Sequence, residues 1–222
     1  SKVLDVSKKE GVHQLADEVI EKYGQADIVI NNAGVALGTI SVDEVTYEEL
    51  EWIFGINLWG VIYGTKAFLP HLKTRPESAI VNISSVFGLL GVYKQAPYCI
   101  TKFGVRGLTE SLRAEMRNDH PNVHVMQVHP GGIKTNIARN ARTNETDQSI
   151  VDDFHRRFDE TARTSAEDAA KVIIKGLRNK NPRVRIGPDS YWFDRLSRFF
   201  PNWALHKFAS MSKRYDDGGK LF

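Results

Sequence analysis

The chain has 222 residues, 41% hydrophobic and 26% charged, a globular balance that excludes a collagen-like, low-complexity or largely disordered protein. Thirty Lys and Arg against 27 Asp and Glu leave a formal charge of +3, too small to point to nucleic acid. No apolar run approaches the ~20 residues of a membrane span, and one cysteine, Cys99, excludes an internal disulfide framework or a multi-cysteine zinc site.

Short β-branched runs alternate with longer helical patterns. Residues 2–6 read as a short strand ending at Asp5. Residues 10–23 read as a helix, with Val12, Leu15, Ala16, Val19 and Ile20 at helical spacing. Residues 27–31 form a nearly continuous apolar run, the mark of a parallel strand covered on both faces. Thr46, with Glu49 three residues on, predicts a capping box and a helix to about Leu69. Residues 79–84 are the next strand, residues 85–95 a glycine-bearing loop, and residues 97–117 a helix. Residues 123–128 form another strand, closed by Pro130-Gly131-Gly132. After an irregular stretch, residues 152–161 are helical. Ser165 caps a helix over residues 166–178, and residues 183–186 are a last strand. Strands alternating with helices of this length predict a parallel α/β sheet.

Tyr98 and Lys102 lie four apart and therefore on one helix face. A free tyrosine, with a pKa of about 10, is a poor proton exchanger at neutral pH, and a neighbouring ammonium lowers that value. Alone the pair is weak, because Tyr-x-x-x-Lys is frequent by chance. Ser85 strengthens it: a serine just past a buried strand stands at the carboxyl end of the sheet, where open α/β sheets bind ligands. Ser84 should turn the other way. Gly34 and Gly131 close two more strands and admit a ligand close to the backbone. Asn57 interrupts an apolar helix segment and reads either as a site residue or as a satisfied core amide.

These residues carry a resemblance. The chain resembles the short-chain dehydrogenases/reductases through Asn31-Asn32-Ala33-Gly34, Asn57-Leu58-Trp59-Gly60, Ile83-Ser84-Ser85, Tyr98-x-x-x-Lys102 and Pro130-Gly131-Gly132-Ile133-Lys134-Thr135, in family order and spacing. The resemblance implies a Rossmann-like doubly wound parallel sheet with helices on both faces, spanning residues 1–188, with residues 189–222 an aromatic-rich extension. It implies an NAD- or NADP-dependent oxidoreductase exchanging a hydride between nicotinamide and a carbonyl or alcohol. It makes Tyr98 the general acid/base, Lys102 its pKa-lowering partner, Ser85 the holder of the substrate oxygen, and Asn57 a water-holding member of a proton relay. Asp5, Val6, Asn31, Ala33, Gly34, Pro130, Gly131, Ile133 and Thr135, with Tyr98 and Lys102, would line the cofactor site.

One departure is large. The family opens with a strand and a glycine-rich turn that receives the pyrophosphate, and neither is in this sequence. The first strand here matches the family's third. The expectation is a fragment lacking roughly 40–60 upstream residues, about the size of a βαβα unit, with the sheet edge at residues 27–31 left open.

The resemblance also implies a homodimer or homotetramer. Phe87, Leu89, Leu90, Val92 and Tyr93, between Ser85 and Tyr98, predict an apolar substrate. The charged segment of residues 136–163 reads as a solvated surface in preference to a lid, since charge runs usually mark solvated faces. The tail carries Tyr191, Trp192, Phe199, Phe200 and Trp203 among basic residues, split by Pro201. Packing over the pocket or against a partner subunit is its first reading, membrane contact its second, and ordinary C-terminal core its third. No metal is expected from the seven histidines, no nucleic acid from the charge, and a cytoplasmic location fits the sparse cysteine. The rival readings are a non-catalytic scaffold that kept the fold, and a sugar-nucleotide epimerase or dehydratase. The latter is opposed by the short stretch after Gly187.

Overall fold

A computed structural model describes residues 1–143 and 145–216. Four parallel strands, β1 (Ile28–Asn31), β2 (Ser78–Ile83), β3 (Val123–Pro130) and β6 (Arg183–Ile186), form a sheet in the order β1-β2-β3-β6. Alternation along the strands sorts their side chains to two faces. Ile80, Val123 and Val125 join Val12 and Ala16 of α1 (Lys9–Tyr23), Phe68 and Leu72 of α3 (Gly60–Lys73), and Leu112 and Met116 of α4 (Ala96–Asp119). Their neighbours Val81, Met126 and Val128 meet Ala169 of α6 (Ala166–Arg178) with Val184 and Ile186 on the other face. The sheet is thus wound on both sides, a Rossmann-like architecture. No described helix is long and apolar enough to cross a membrane.

Residues 2–6 are not a strand. A strand needs a hydrogen-bonded neighbour, and no described strand lies beside them. Instead the Asp5 carboxylate accepts from the backbone N–H (2.9 Å) and hydroxyl (2.7 Å) of Ser7, a turn that leads into α1. Correspondingly, β1 has one described neighbour, β2, and its Ile28 and Ile30 are exposed.

The capping box forms. The Thr46 hydroxyl accepts from Glu49 N–H at 3.2 Å, and the Glu49 carboxylate takes the Thr46 N–H at 2.9 Å. This opens α2 (Tyr47–Phe54), which runs through a π-helical turn at Gly55–Trp59 into α3. The helix continues past Leu69 to Lys73, with Pro70 inside its last turn. A two-residue parallel ladder, β4 (Ile133–Lys134) with β5 (Thr164–Ser165), flanks α5 (Gln148–Thr161) and was not anticipated. The tail forms α7 (Pro188–Phe199) and α8 (Pro201–Asp216), joined at Pro201, with Phe193 stacked on Phe208 at 4.2 Å.

Candidate active site

All four strands of the main sheet are parallel, so the segments that follow β1, β2 and β3 share one edge. Gly34, Ser85 and Gly131 stand just past those three strand ends, and α4 brings Tyr98 and Lys102 over the same edge.

Ser84 and Ser85 part as alternation requires. Ser84 is buried and donates to the Lys102 carbonyl at 2.8 Å. Ser85 turns to the other side, where its hydroxyl accepts from Phe87 N–H at 3.2 Å and hydrogen-bonds the Tyr98 hydroxyl. Its own carbonyl lies 3.0 Å from Nδ1 of the fully buried His129. A carbonyl can only accept, so Nδ1 carries the proton. Burial pushes this histidine down to about 4 and keeps it neutral at pH 7. His129 was missed in the sequence; the available signal was a polar residue at the end of a buried strand, directly before Pro130.

Lys102 is 4% exposed and donates to the Ile83 carbonyl at 3.1 Å, with its ammonium 5.4 Å from the centre of the Tyr98 ring. Burial pulls it down to about 8. The expected lowering of Tyr98 does not occur: burial pushes its hydroxyl up to about 12, and the hydrogen bond with Ser85 opposes that rise only in part. Removing the phenolate from water costs more here than its neighbours return.

Asn57 is fully buried in the π turn. Its amide clasps the backbone of Val35, accepting from the N–H at 2.8 Å and donating to the carbonyl at 2.8 Å. It also lies 3.5 Å from the hydroxyl of Thr101, which in turn donates to the Tyr98 carbonyl. A Cβ at Gly34 would sit 3.5 Å from Asn57 Oδ1 and 3.6 Å from Lys102 Nζ, so the glycine opens the space between them. Ala33 beside it is exposed.

Asn31 points elsewhere. Its Nδ2 donates to Asn82 Oδ1 (2.8 Å) and lies 3.2 Å from Thr65 Oγ1, and Asn82 donates on to Thr109 (3.0 Å). This is a polar ladder that ties β1 and β2 to α3 and α4. Asp5 is held by Ser7, and Val6 packs where Gly60 leaves room.

After β3, Gly132 N–H donates to the Asp189 carboxylate at 2.8 Å. That carboxylate occupies space that a side chain at Gly131 or Gly187 would need. Gly187 has φ of +87°, a region that favours glycine. Asp189, not anticipated, therefore anchors the turn that leads to Ile133 and Thr135. Ile133 packs on the core, and Thr135 is exposed.

Phe87 meets the Tyr98 ring edge-on at 6.0 Å, whereas Leu89 and Leu90 are buried core residues and not pocket lining. Arg139 pairs with Asp159, and Arg156 with Asp153 and Glu160, so these arginines of the charged segment are engaged locally. A second clasp was unforeseen: Gly38 N–H donates to the Arg142 carbonyl at 2.7 Å, and the Arg142 guanidinium lies 3.8 Å from the Trp52 ring centre. His120 and His124 stand four apart, but α4 ends at Asp119 and His124 belongs to β3.

The model of the short chain dehydrogenase family matches residues 2–146. The chain belongs to that family. A Mycobacterium tuberculosis protein named "Putative oxidoreductase SadH" is 44% identical over 197 residues, covering 88% of this chain and 70% of SadH. The 3-ketodihydrosphingosine reductase of Bacteroides thetaiotaomicron is 31% identical over 196 residues, 84% of this chain and 72% of that protein. A crystal structure of a family member from Burkholderia phymatum, in complex with NAD, superposes with a TM-score of 0.79 at 27% identity, covering 87% of this chain and 73% of that one. As a member of this family the chain is an NAD- or NADP-dependent oxidoreductase.

Proposed function

We propose that the chain interconverts a carbonyl and an alcohol on an apolar substrate, with Tyr98 exchanging the proton at the substrate oxygen. The observation that carries this reading is the meeting of Tyr98, Ser85 and Lys102 beside the space opened by Gly34. The dinucleotide supplies or accepts the hydride when bound, and the protein contributes position and proton. At about 12, the Tyr98 hydroxyl is protonated at neutral pH and can give its proton to an oxygen gaining negative charge. Ser85, bonded to that hydroxyl, is placed to hold the same oxygen. Lys102, at about 8, is cationic at pH 7 and favours the tyrosinate left behind.

The residues present fit a dinucleotide. Lys102 has three donors, of which Ile83 takes one, and Gly34 admits a ligand beside it. Ala33, Gly34, Lys102, Pro130, Gly131, Ile133 and Thr135 would hold its nicotinamide half, and Asp5 and Val6 its adenine. The geometry of Asn31 supports a scaffold role instead. Asn57 Oδ1 keeps one lone pair beyond its bond to Val35, and it lies beside Gly34 as Lys102 does, which suits a relay through water.

An apolar substrate is supported by Phe87 against Tyr98. The Bacteroides relative is by its name a reductase of a ketone. Exposed Trp59, Ile100 and Phe103, in the π turn and on α4, support a homodimer or homotetramer assembled through that surface.

Tyr98→Phe in the full-length protein tests the reading. Turnover should fall about 100- to 10,000-fold, while dinucleotide binding, followed by fluorescence titration, stays within about twofold of the parent. Near-parental turnover would overturn it.

A further inference from the structure

We propose that the elbow between α7 and α8 docks the protein onto an anionic lipid surface. Where the chain turns at Pro201, Phe199, Phe200 and Trp203 are 74%, 61% and 55% exposed. Trp192, also exposed, lies seven residues before Phe199 and so on the same helix face, with Arg195 between them. On α8, Trp203 is followed one turn later by the exposed His206 and Lys207. Both helices therefore present aromatic rings interleaved with basic groups.

This outer face is not unfilled core. The inner seam of the two helices is already packed, with Phe193 stacked on Phe208 and Ala204 fully buried. Large exposed apolar patches mark interaction sites, and aromatic rings flanked by Lys and Arg suit the boundary between headgroups and acyl chains.

Charge selects the occupant. Between Ser190 and Arg214 stand five Lys or Arg and one acidic residue, Asp194. Asp194 is buried and held by Arg183, Arg185 and Arg198. Among the described residues between Ser190 and Arg214, the exposed charged groups outside the Asp194 cluster are therefore all basic, although the whole chain totals only +3. Two copies of such a face repel each other, whereas anionic headgroups attract it. Neither helix can span a bilayer, so the elbow would lie in the interface plane. The inference is independent of the catalytic reading, because its readout is lipid binding.

The test is co-sedimentation of the full-length protein with vesicles of phosphatidylcholine alone and of phosphatidylcholine mixed with phosphatidylglycerol. Binding to the mixed vesicles, weakened by salt and accompanied by a blue shift of tryptophan emission, is expected. Phe199→Ser with Trp203→Ser should weaken it about tenfold or more. Arg195→Glu with Lys207→Glu, which leaves the rings intact and touches no packed residue, should also weaken it about tenfold or more. Failure of the parent to bind phosphatidylglycerol vesicles would overturn the proposal. So would a larger oligomer in sedimentation velocity that the ring substitutions dissolve, since that would make the elbow a contact between copies.

Discussion

Asp194 and Lys102 are each 4% exposed, and they are buried in opposite ways. Asp194 receives three guanidinium groups, from Arg183 (2.7 Å), Arg185 (2.9 Å) and Arg198 (2.9 Å), and so rivets α7 to β6. Lys102 has a backbone carbonyl at 3.1 Å and no carboxylate among its described contacts, and its pKa falls to about 8. A buried charge with full compensation holds structure together. One left under-compensated costs stability and is retained for chemistry. On the proposed reading the two residues, one on α7 and one on α4, separate scaffold from site within one fold.

The comparison can be broken most severely at Asp194. Asp194→Ala should cost about 3–5 kcal/mol, because three guanidiniums lose their common partner, and urea unfolding would read it. A loss below about 1 kcal/mol would place this cluster with weak surface pairs. Lys102→Met should act in the opposite sense. Between about 8, the folded value, and 10.5, the unfolded one, the unfolded chain holds more protons, so stability rises with pH across that window. Below it the penalty is fully present, roughly 3 kcal/mol. The substitution should therefore stabilise the protein at pH 7 and flatten the rise towards pH 10, as read from urea midpoints. Above pH 10 Tyr98 works the other way, losing stability as pH climbs towards its raised value of about 12. The smallest effect sharpens the contrast between adjacent serines. Ser84→Ala removes the bond to the Lys102 carbonyl and should cost about 1 kcal/mol of stability. Ser85→Ala should reduce turnover more than Ser84→Ala does.

Local chemistry made much of the fold legible in the sequence. Thr46 with Glu49, and Ser165 with Asp168, each signal a helix start that depends on neighbours within a few residues. Apolar runs located β2 and β3 because both faces are covered. Residues 2–6 show the limit: a β-branched run is a strand only if another strand lies alongside, and no local signal reports that. The motif residues were equally visible, but the environment of each was not. The pKa of Tyr98 rises because desolvation, which depends on packing, exceeds the effect of its neighbours. Asn31 sits in a motif yet faces Asn82 and Thr65, distant in sequence. Asp189 and His129 act through contacts 57 and 44 residues away, beyond any spacing rule.

The π turn at Gly55–Trp59 also sets the phase between two helices. Each residue of an α-helix advances the side chains by about 100°. Winding these same residues as a regular α-helix from Tyr47 to Lys73 would improve the local hydrogen bonding. It would also turn α3 by that same angle relative to α2. Gly64 would no longer face Asn31, whose amide oxygen fills the space a side chain there would need, and Leu72 would leave the core. The wider turn works as a phase shifter, keeping Thr46 and Leu72 in register with two different neighbours while aiming Asn57 inward. The more regular helix, at this same length, would be the less foldable design.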